Sequence, residues 1–522
     1  MENEVEKRKE KIKEKFSNWL KDPYNKAILF IIIIAFIIRF IILLKTLNQP
    51  MWFDEASYMA TAKKWGLGLD INEVWYYRRG FLLPLISSIF FKLGFGEIGI
   101  RFLEAVFSIS LIFISYLIIK DMFDKEKALF VSICLTFLWV ILFFTGRAMT
   151  EIPAAFFILL ALLFFWKGYV KNQGKIFFWL FGAFFALSVL TRMQYLMFAP
   201  VFLIYAFSKE KFKFLKNKYL WFAVLAFFLV LLPHIILYWN HFGNPVTDIL
   251  SHYFGIQTSA TIETGSQAKD FFNYFKDLPY ALDGTTFSSF FKPFFFLFLI
   301  GIFYFFADLI LGFDNIFKSE EIKKKLLVFS WIVIPFLILG YMTQSAEQRY
   351  TMPIYPFIFL IASVSFFKIR DYLCKNKTKS CIILGFIVLI VLLIPNLLWG
   401  FQLTDAKKTS YLEVQQAGLW LKQNSNPGDI IVTSSYPQIS YYSERTVALF
   451  DSDKPEGGKA LNETQFDEFV RADKPKYLML SAFEHHPDWA YAYPQKHNDT
   501  WIPVQAYYQG QQPVVVIYKS KD

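Results

Sequence analysis

The stretch AILFIIIIAFIIRFIILL, residues 27–44, decides the fold of this chain. Its single charge is Arg39, and every other position is apolar. A helix needs about 20 mostly apolar residues to cross the hydrocarbon core of a bilayer, and this stretch is close to that length. The sequence therefore predicts a transmembrane helix at this position.

The rest of the chain has the same character. Of 522 residues, 55% are apolar, 63 are Phe and only 19% are charged, against about a quarter in soluble proteins. A single soluble core could not bury so much apolar surface, so lipid must solvate it. We predict an α-helical polytopic membrane protein with about 11 transmembrane helices. The predicted spans are 27–44, 99–119, 127–144, 152–168, 175–191, 194–208, 219–239, 291–312, 326–343, 351–367 and 380–400.

The lysine-rich loops predict the orientation of the chain. The stretch 80–93 would reach only about 21 Å as a helix, so we predict that it lies in the membrane interface without crossing. The loops with most lysines then share the side of the N-terminus, and by the positive-inside rule that side is the cytoplasm. These loops also account for the net charge of +11, which does not indicate nucleic acid. They are 121–127, 169–175, 209–218, 313–325 and 368–379.

The domain organisation follows from this orientation. Residues 1–26 are predicted to be a cytoplasmic amphipathic segment, and 27–402 a transmembrane domain of a multi-pass cell-membrane protein. The loops 45–98 and 240–290 and the tail 403–522 are predicted to lie outside the cytoplasm.

The tail changes to the patterning of a soluble domain. YLEVQQAGLWLKQN and ETQFDEFVRA have helical spacing, whereas DIIVTS, KYLMLSA and PVVVIYK resemble strands. This alternation predicts a small C-terminal soluble α/β domain. The three cysteines, Cys134, Cys374 and Cys381, all precede it and argue against a disulfide framework.

Two adjacent carboxylates, Asp54 and Glu55, follow the first span in the sequence MWFDEA. Carboxylates close to a membrane are costly unless they are paired, hydrated or used. The alternative is that they cap the N-terminus of a short helix.

Basic and acidic groups also lie at nearly all of the remaining predicted outer turns. Each pair alone can be read as a local ion pair, but together they indicate a polar cavity that opens to the outside. The groups are Arg78 and Arg79, Arg101 with Glu104, Arg147 with Glu151, Arg192 with Gln194, and Glu347, Arg349 and Tyr350.

Metal binding is left open by the sequence. The six histidines include no HExxH or comparable spacing, and His485-His486 is interpreted as a solvated pair. His241 and His252, in the predicted middle loop, could join a carboxylate. Asp451-Ser452-Asp453 is interpreted as a turn.

The order of these features resembles the GT-C glycosyltransferases that use polyprenyl-phosphate sugars. Within them, the chain is most similar to the branch of the protein O-mannosyltransferases and the lipid A aminoarabinose transferase, and its tail to archaeal members. One departure is Arg79-Gly80-Phe81-Leu82-Leu83-Pro84, where many relatives have Pro-Pro-Leu after a His or Lys. The residues that carry the resemblance are FDEASY (53–58), YRRGFLLPLISSIFFKLGFGEIGIRFLEAVF (77–107), TGRAMTEIPAAFF (145–157), LSVLTRMQYLMFAP (187–200), EQRYTMPIYP (347–356) and the tail segment 411–445.

The resemblance implies an inverting transfer from a polyprenyl-phosphate sugar, most commonly mannose, to a hydroxyl of a protein, lipid or glycan. Asp54 corresponds to the family's general base, and Glu55 would orient it or hold a divalent metal. Arginines suit the lipid phosphate because they are permanently charged and forked toward its oxygens. We rank Arg349 and Arg101 first, then Arg192 and Arg79. The supporting residues are Arg147, Glu151, Gln194, Glu347 and Tyr350.

Two other functions are compatible with parts of the sequence. An oligosaccharyltransferase subunit would carry a WWDYG-type motif in its tail, and this sequence has none. A lipid or solute transporter would concentrate charge near the bilayer midplane, whereas the charges here gather at predicted outer turns. Arg39 is the main exception, and we expect it to snorkel outward.

Overall fold

Helices dominate the first four fifths of the chain. The computed structural model describes residues 6, 13–14, 17–72, 79–244, 270–285, 291–312, 315–343, 345–374, 379–452 and 461–521. Its helices up to residue 407 are α1 Pro23–Thr46, α2 Phe53–Leu67, α3 Leu82–Lys92, α4 Gly96–Met122, α5 Lys125–Phe137, α6 Trp139–Thr145, α7 Glu151–Phe165, α8 Ile176–Thr191, α9 Ala199–Glu210, α10 Lys218–Phe242, α11 Asn273–Asp283, α12 Pro293–Leu311, α13 Glu320–Met342, α14 Tyr355–Leu373 and α15 Lys379–Lys407. A π-helical turn, Trp166–Val170, extends α7, and 3₁₀ segments occupy Met193–Phe198, Lys211–Lys216 and Gln348–Thr351.

Apolar length separates these helices into two groups. Among the described residues, seven helices are long and apolar enough to cross a membrane, and α5 with α6, bent by 53°, raises the number to eight. Every predicted span falls on helical structure, but α8 and α9 are short, at 16 and 12 residues. The stretch 80–93 forms the 11-residue helix α3, and its place in the interface stays a prediction.

The chain divides into two compact units, and each unit is built from separate stretches of sequence. This division differs from the single boundary at residue 403 that the sequence predicts. The first unit comprises Met1–Leu44, Glu104–Gly146 and Thr150–Thr404. The second unit comprises Lys45–Leu103, Arg147–Met149 and Asp405–Asp522. The second unit therefore joins the loop after the first span to the C-terminal tail. The predicted division into a transmembrane domain and a separate tail stays a prediction.

Aromatic rings pack the first unit. Phe202 of α9 lies with its ring centroid 4.8 Å from that of Phe181 and 5.5 Å from that of Phe185, both on α8. Gly182 lets α8 approach α10, because a Cβ there would lie 1.9 Å from the Ala223 carbonyl oxygen. Close helix packing through a small residue is typical of membrane helices.

Arg39 does not snorkel, so the sequence prediction is wrong for this residue. It is fully buried, and its guanidinium donates to the Thr136 and Leu135 carbonyls, at 2.6 and 3.2 Å. Both carbonyls belong to the last turn of α5, where a helix leaves its carbonyls without intrahelical partners. Ser108 Oγ accepts a third hydrogen bond, at 3.2 Å. Arg39 thus stabilises the break between α5 and α6.

The tail portion of the second unit forms a mixed sheet flanked by helices. The strand order is β2-β1-β3-β5-β4, with β1 parallel to β2 and β3, and β5 antiparallel to β3 and β4. The predicted α/β domain is confirmed, because the two helices and the three strands predicted from the sequence are all present. The elements are α16 Leu412–Asn424, β1 Ile430–Val432, α17 Tyr436–Ser443, β2 Thr446–Ala448, α18 Glu463–Asp473, β3 Tyr477–Ser481, α19 Asp488–Lys496, β4 Trp501–Gln509 and β5 Gln512–Ser520.

One hydrophobic core holds the second unit together. Met59 of α2 and Leu83 of α3 belong to the same buried cluster as Ile431 of β1 and Ile439 of α17. Each of these side chains is at most 2% exposed. Removing the tail would therefore expose the apolar faces of α2 and α3, and burial of such faces is the main stabilising term.

Cys374 and Cys381 form a disulfide, so the sequence argument against disulfides is wrong for this pair. Their Cα atoms lie 5.9 Å apart, within the usual range for a bridge. The third cysteine, Cys134, is buried in α5.

Candidate active site

Glu55 is the centre of an ion cluster in the second unit. It lies in the first turn of α2 and is fully buried. Its Oε2 accepts from the Trp52 backbone N–H and from Arg147 Nη1, both at 3.0 Å. Its Oε1 accepts from the Ala148 backbone N–H at 2.9 Å. Both oxygens of this carboxylate therefore serve to cap α2 and to hold the segment 147–149.

Two buried arginines complete this Glu55 cluster. The guanidinium carbon of Arg147 lies 3.5 Å from the centre of the Trp52 ring. Burial lowers the pKa of Arg147 to about 10, whereas the charge of Glu55 acts to raise it. Arg101 Nη1 lies 3.8 Å from Glu55, and Arg101 Nη2 donates to the Gln49 carbonyl at 3.0 Å. Both guanidiniums are sealed from solvent, with side-chain exposures of 2% and 0%. The sequence reading that pairs Arg147 with Glu151 is replaced by the Arg147–Glu55 pair.

Asp54 is accessible, in contrast to its neighbour. Successive residues of an α-helix point about 100° apart, so Asp54 leaves the buried face that Glu55 occupies. One third of its side chain, 33%, is exposed, and Oδ1 lies 2.8 Å from Arg79 Nη2. Arg79 also lies over the Tyr58 ring, 5.2 Å from its centre. Arg78 lies outside the described residues.

The first unit contains a second cluster, centred on Glu151. Glu151 begins α7 and is 1% exposed. Its Oε1 lies 3.0 Å from Arg192 Nη1 and 3.5 Å from Arg349 Nε. Arg192 follows the last residue of α8, and Arg349 lies in a 3₁₀ turn. The fold thus brings together charges that are far apart in sequence.

Neighbouring groups orient the two arginines of this Glu151 cluster. Arg192 Nε donates to Gln194 Oε1 at 2.9 Å. Tyr350 lies between the arginines, with its ring centre 4.2 Å from the Arg192 guanidinium carbon and 5.1 Å from that of Arg349. Glu347, about half exposed, lies 3.4 Å from Arg349, so the local pair considered from the sequence is also present. The arginine side chains themselves are 13% and 15% exposed.

Sequence reasoning missed two carboxylates beside these clusters. Asp277 of α11 accepts from Gln348 at 2.9 Å, and burial raises its pKa to about 6. Glu484 follows β3 in the second unit, and burial together with the charge of Asp54 raises its pKa to about 7. A signal for Glu484 was present, because it lies two residues after the strand predicted from KYLMLSA.

Metal ligands do not converge in the part of the chain that the structure describes. No group of three His, Cys, Asp or Glu side chains there could hold a metal ion. His252, Asp453 and the side chain of His241 lie outside the described residues. His486 is buried in the second unit and shares a hydrogen bond of 2.8 Å with Ser434, a structural role.

Part of the chain matches a known protein family. Residues 78–239 match the profile of the dolichyl-phosphate-mannose-protein mannosyltransferase family. No curated protein sequence matches the chain significantly.

Solved structures extend the likeness to most of the chain. The apo oligosaccharyltransferase of Archaeoglobus fulgidus superposes with a TM-score of 0.64 at 13% identity, over 89% of this chain and 70% of the other. ArnT of Cupriavidus metallidurans, solved with undecaprenyl phosphate, gives a TM-score of 0.63 at 11% identity, over 94% and 97%. The mycobacterial arabinofuranosyltransferase AftD gives 0.50 at 13% identity, over 93% and 40%. The family profile thus covers the part of the chain from residue 78 to residue 239, and the solved structures show that the chain shares their fold.

Proposed function

We propose that this protein transfers a sugar from a polyprenyl-phosphate donor to an acceptor hydroxyl outside the cytoplasm. The observation that carries the proposal is the Glu151 cluster, in which one buried carboxylate holds Arg192 and Arg349 beside Tyr350. The two arginine side chains are partly exposed, at 13% and 15%, so an anionic ligand can reach their N–H groups. A guanidinium matches phosphate oxygens in charge and in its forked geometry. The ArnT structure with undecaprenyl phosphate supports a lipid phosphate as that anion.

An apolar cavity in the same unit fits the prenyl chain of such a donor. The cavity of about 310 Å³ lies between α8, α9 and α10. Its lining includes Leu196, which is four residues after Arg192 in the sequence, Phe202 of α9 and Leu215. Its lining is entirely apolar, as an isoprenoid chain requires.

We assign the general base to Asp54. The oxygen of the acceptor hydroxyl attacks the anomeric carbon of the sugar, and Asp54 takes the hydroxyl proton as the new bond forms. The bond between the anomeric carbon and the phosphate oxygen breaks on the opposite side, which inverts the configuration. Its electron pair leaves with the polyprenyl phosphate, whose charge Arg192 and Arg349 stabilise. Arg79, paired with Asp54 at 2.8 Å, orients the carboxylate.

Glu55 and Arg101 receive structural roles in this proposal. Both are sealed from solvent, and their polar atoms contact backbone and neighbouring side chains of the second unit. Glu55 orients the first turn of α2, and hence Asp54, through the Trp52 N–H.

We propose that the N-terminus is cytoplasmic and that Asp54 and the tail face the other side. The five lysine-rich loops support this orientation. A single cysteine at Asn498, in a cysteine-free background, should react with an impermeant maleimide on intact cells, whereas one at Lys213 should react only after lysis. The reverse pattern would overturn the orientation.

A single-sugar donor is favoured over the oligosaccharyltransferase alternative. The superposition covers 97% of ArnT but 70% of the A. fulgidus oligosaccharyltransferase. Mannose is the first sugar to test, because the matching family is named for it.

The decisive experiment supplies purified protein with a panel of radiolabelled polyprenyl-phosphate sugars and membrane extract as the source of acceptor. We expect one label to move to a protein, lipid or glycan, and polyprenyl phosphate to be released in equal amount. Transfer only from a lipid-linked oligosaccharide would favour the oligosaccharyltransferase alternative. Absence of transfer from every donor would contradict the proposed function.

A further inference from the structure

The tail presents polar side chains at one edge of its sheet. β1 and β3 are parallel, so their carboxyl ends lie at the same edge. Ser435 and Gln438 follow β1, and Glu484 follows β3. In α/β sheets, ligands bind preferentially outside the carboxyl ends of parallel strands. This edge is therefore the place in the tail where a ligand site is expected.

Buried contacts hold the Glu484 loop in a defined position. His486 Nδ1 lies 2.8 Å from Ser434 Oγ, and its Nε2 accepts from the Ser481 backbone N–H at 3.0 Å. The Phe483 ring packs against that of Tyr411, with centroids 5.2 Å apart. Because His486 is fully buried, the loop cannot move without breaking these contacts.

Several buried polar atoms at this edge have no hydrogen bond of normal geometry within the described parts of the chain. They are Glu484 Oε1, both amide atoms of Gln438 and Ser435 Oγ. Gln438 is fully buried, and the side chains of Gln438 and Tyr411 lie within range of weak hydrogen bonds to Glu484. Buried polar groups in native proteins normally have partners, so this set indicates a ligand.

The same edge faces the first turn of α2 within the second unit. Phe53, the residue before Asp54, contacts Tyr436 of α17 with ring centroids 5.5 Å apart. The charge of Asp54 acts on both Glu484 and Tyr411. Glu484 is thus a second carboxylate next to the candidate base, supplied by the tail.

We propose that Glu484 and Gln438 bind the acceptor: the Gln438 amide donates to the oxygen of the hydroxyl whose proton Asp54 removes, and Glu484 accepts from another hydroxyl of the acceptor. This inference rests on the proposed function. A carboxylate oxygen accepts from a hydroxyl, and the amide of Gln438 can donate to or accept from a neighbouring polar group. The tail therefore takes part in acceptor recognition directly and not only as a cover.

The ionisation of Glu484 supplies a readout that a structural role would not share. Its pKa is raised to about 7, first by burial and then by Asp54, while Gln438 and Tyr411 oppose the rise. Arg79 neutralises part of the Asp54 charge, and the exposed His485 is the adjacent titratable group. Glu484 is therefore protonated below about pH 7 and charged above it, so the affinity for the acceptor should change across this range.

The first test measures steady-state transfer by the full chain. In Glu484→Gln, we expect the acceptor KM to rise about tenfold, since a hydrogen bond to a charged group is lost, while the donor KM stays unchanged. The step in acceptor KM near pH 7 should disappear, and Glu484→Asp should restore part of it. Glu463→Gln is the matched control, because that tail carboxylate pairs with Lys496 at 2.7 Å.

The second test does not depend on transfer. Infrared difference titration of the wild type should show a carboxyl band that titrates near pH 7 and is missing in Glu484→Gln. The band should titrate at lower pH in Asp54→Asn, since the neighbouring negative charge is gone.

The outcomes separate the two proposals. Wild-type kinetics in Glu484→Gln would overturn the role of Glu484, and so would a carboxyl band that titrates at the same pH in Asp54→Asn as in wild type. Either result would leave the proposed function unchanged. A wild type that transfers no sugar from any lipid phosphate would overturn both, whatever the titration shows.

Discussion

Glu55 and Glu151 each hold two arginines, yet the two clusters differ in what surrounds the guanidiniums. Around Glu55, the arginine side chains are at most 2% exposed, and the carboxylate also accepts from two backbone N–H groups. Around Glu151, the arginine side chains are 13% and 15% exposed and lie against Tyr350. Arginine–glutamate pairs thus hold buried backbone in place in the second unit, whereas in the first unit they leave two arginine side chains partly exposed.

This difference is the basis for proposing a structural role for one cluster and a ligand-binding role for the other. A buried arginine that is used to hold backbone contributes to the fold, and removing its partner leaves an uncompensated charge. A partly exposed arginine that is oriented by a carboxylate and a ring is ready for an anion. Asp54 and Glu55 repeat the contrast between two adjacent residues.

The largest expected effect comes from Asp54→Asn. Transfer should fall about 10²- to 10⁴-fold, because the variant keeps the size of the side chain and loses the group that accepts the proton. Thermal stability should remain close to that of wild type, since the partly exposed pair with Arg79 is worth at most about 1 kcal/mol. Wild-type turnover in a well-folded Asp54→Asn protein would remove Asp54 from the mechanism.

Glu55→Gln should act on stability instead. Breaking a buried ion pair typically costs about 3–5 kcal/mol, and here two buried arginines lose their carboxylate. Glu151→Gln should cost less, because its arginines can reach solvent. Thermal unfolding of both variants in one detergent measures the difference. A Glu55→Gln protein as stable as Glu151→Gln would show that the two clusters do not differ as described.

The smallest effect is expected at Tyr350. Tyr350→Phe keeps the ring beside both arginines, so donor-lipid affinity should stay within about twofold of wild type. Tyr350→Leu removes a cation–π interaction worth about 0.5–1 kcal/mol, so affinity should fall by about two- to fivefold. Equal loss in both variants would point to the hydroxyl, which accepts from Arg349 at 3.3 Å.

Apolar runs made most of the fold predictable. The helical regions of the first unit and the main elements of the tail follow from period and length alone. The tail elements that were missed are β2, β4, α17 and α19. β2 has only three residues, and α17, YPQISYYS, has little apolar periodicity because it is buried on all sides. The core that joins α2 and α3 to the tail depends on contacts between distant segments, which no local pattern reveals.

The sequence identified the charged residues of the two clusters, but it did not identify which residues pair with each other. The adjacency of Asp54 and Glu55 marked the region, yet only the packing shows that Glu55 is sealed. Local spacing favoured pairing Arg147 with Glu151. The fold pairs Arg147 with Glu55 and gives Glu151 to Arg192 and Arg349. Ranking Arg101 beside Arg349 relied on similar positions at span ends, and burial now separates them.

The most direct test of the account is the affinity of a purified polyprenyl phosphate for Arg349→Lys. A bidentate phosphate contact depends on the planar guanidinium, so we expect about tenfold weaker binding with a melting temperature close to that of wild type. Arg370→Lys, in a pair with Asp371 at 2.7 Å, is the control and should bind as wild type. Unchanged affinity in Arg349→Lys, in a protein that binds the lipid, would contradict the assignment of the Glu151 cluster to the donor phosphate.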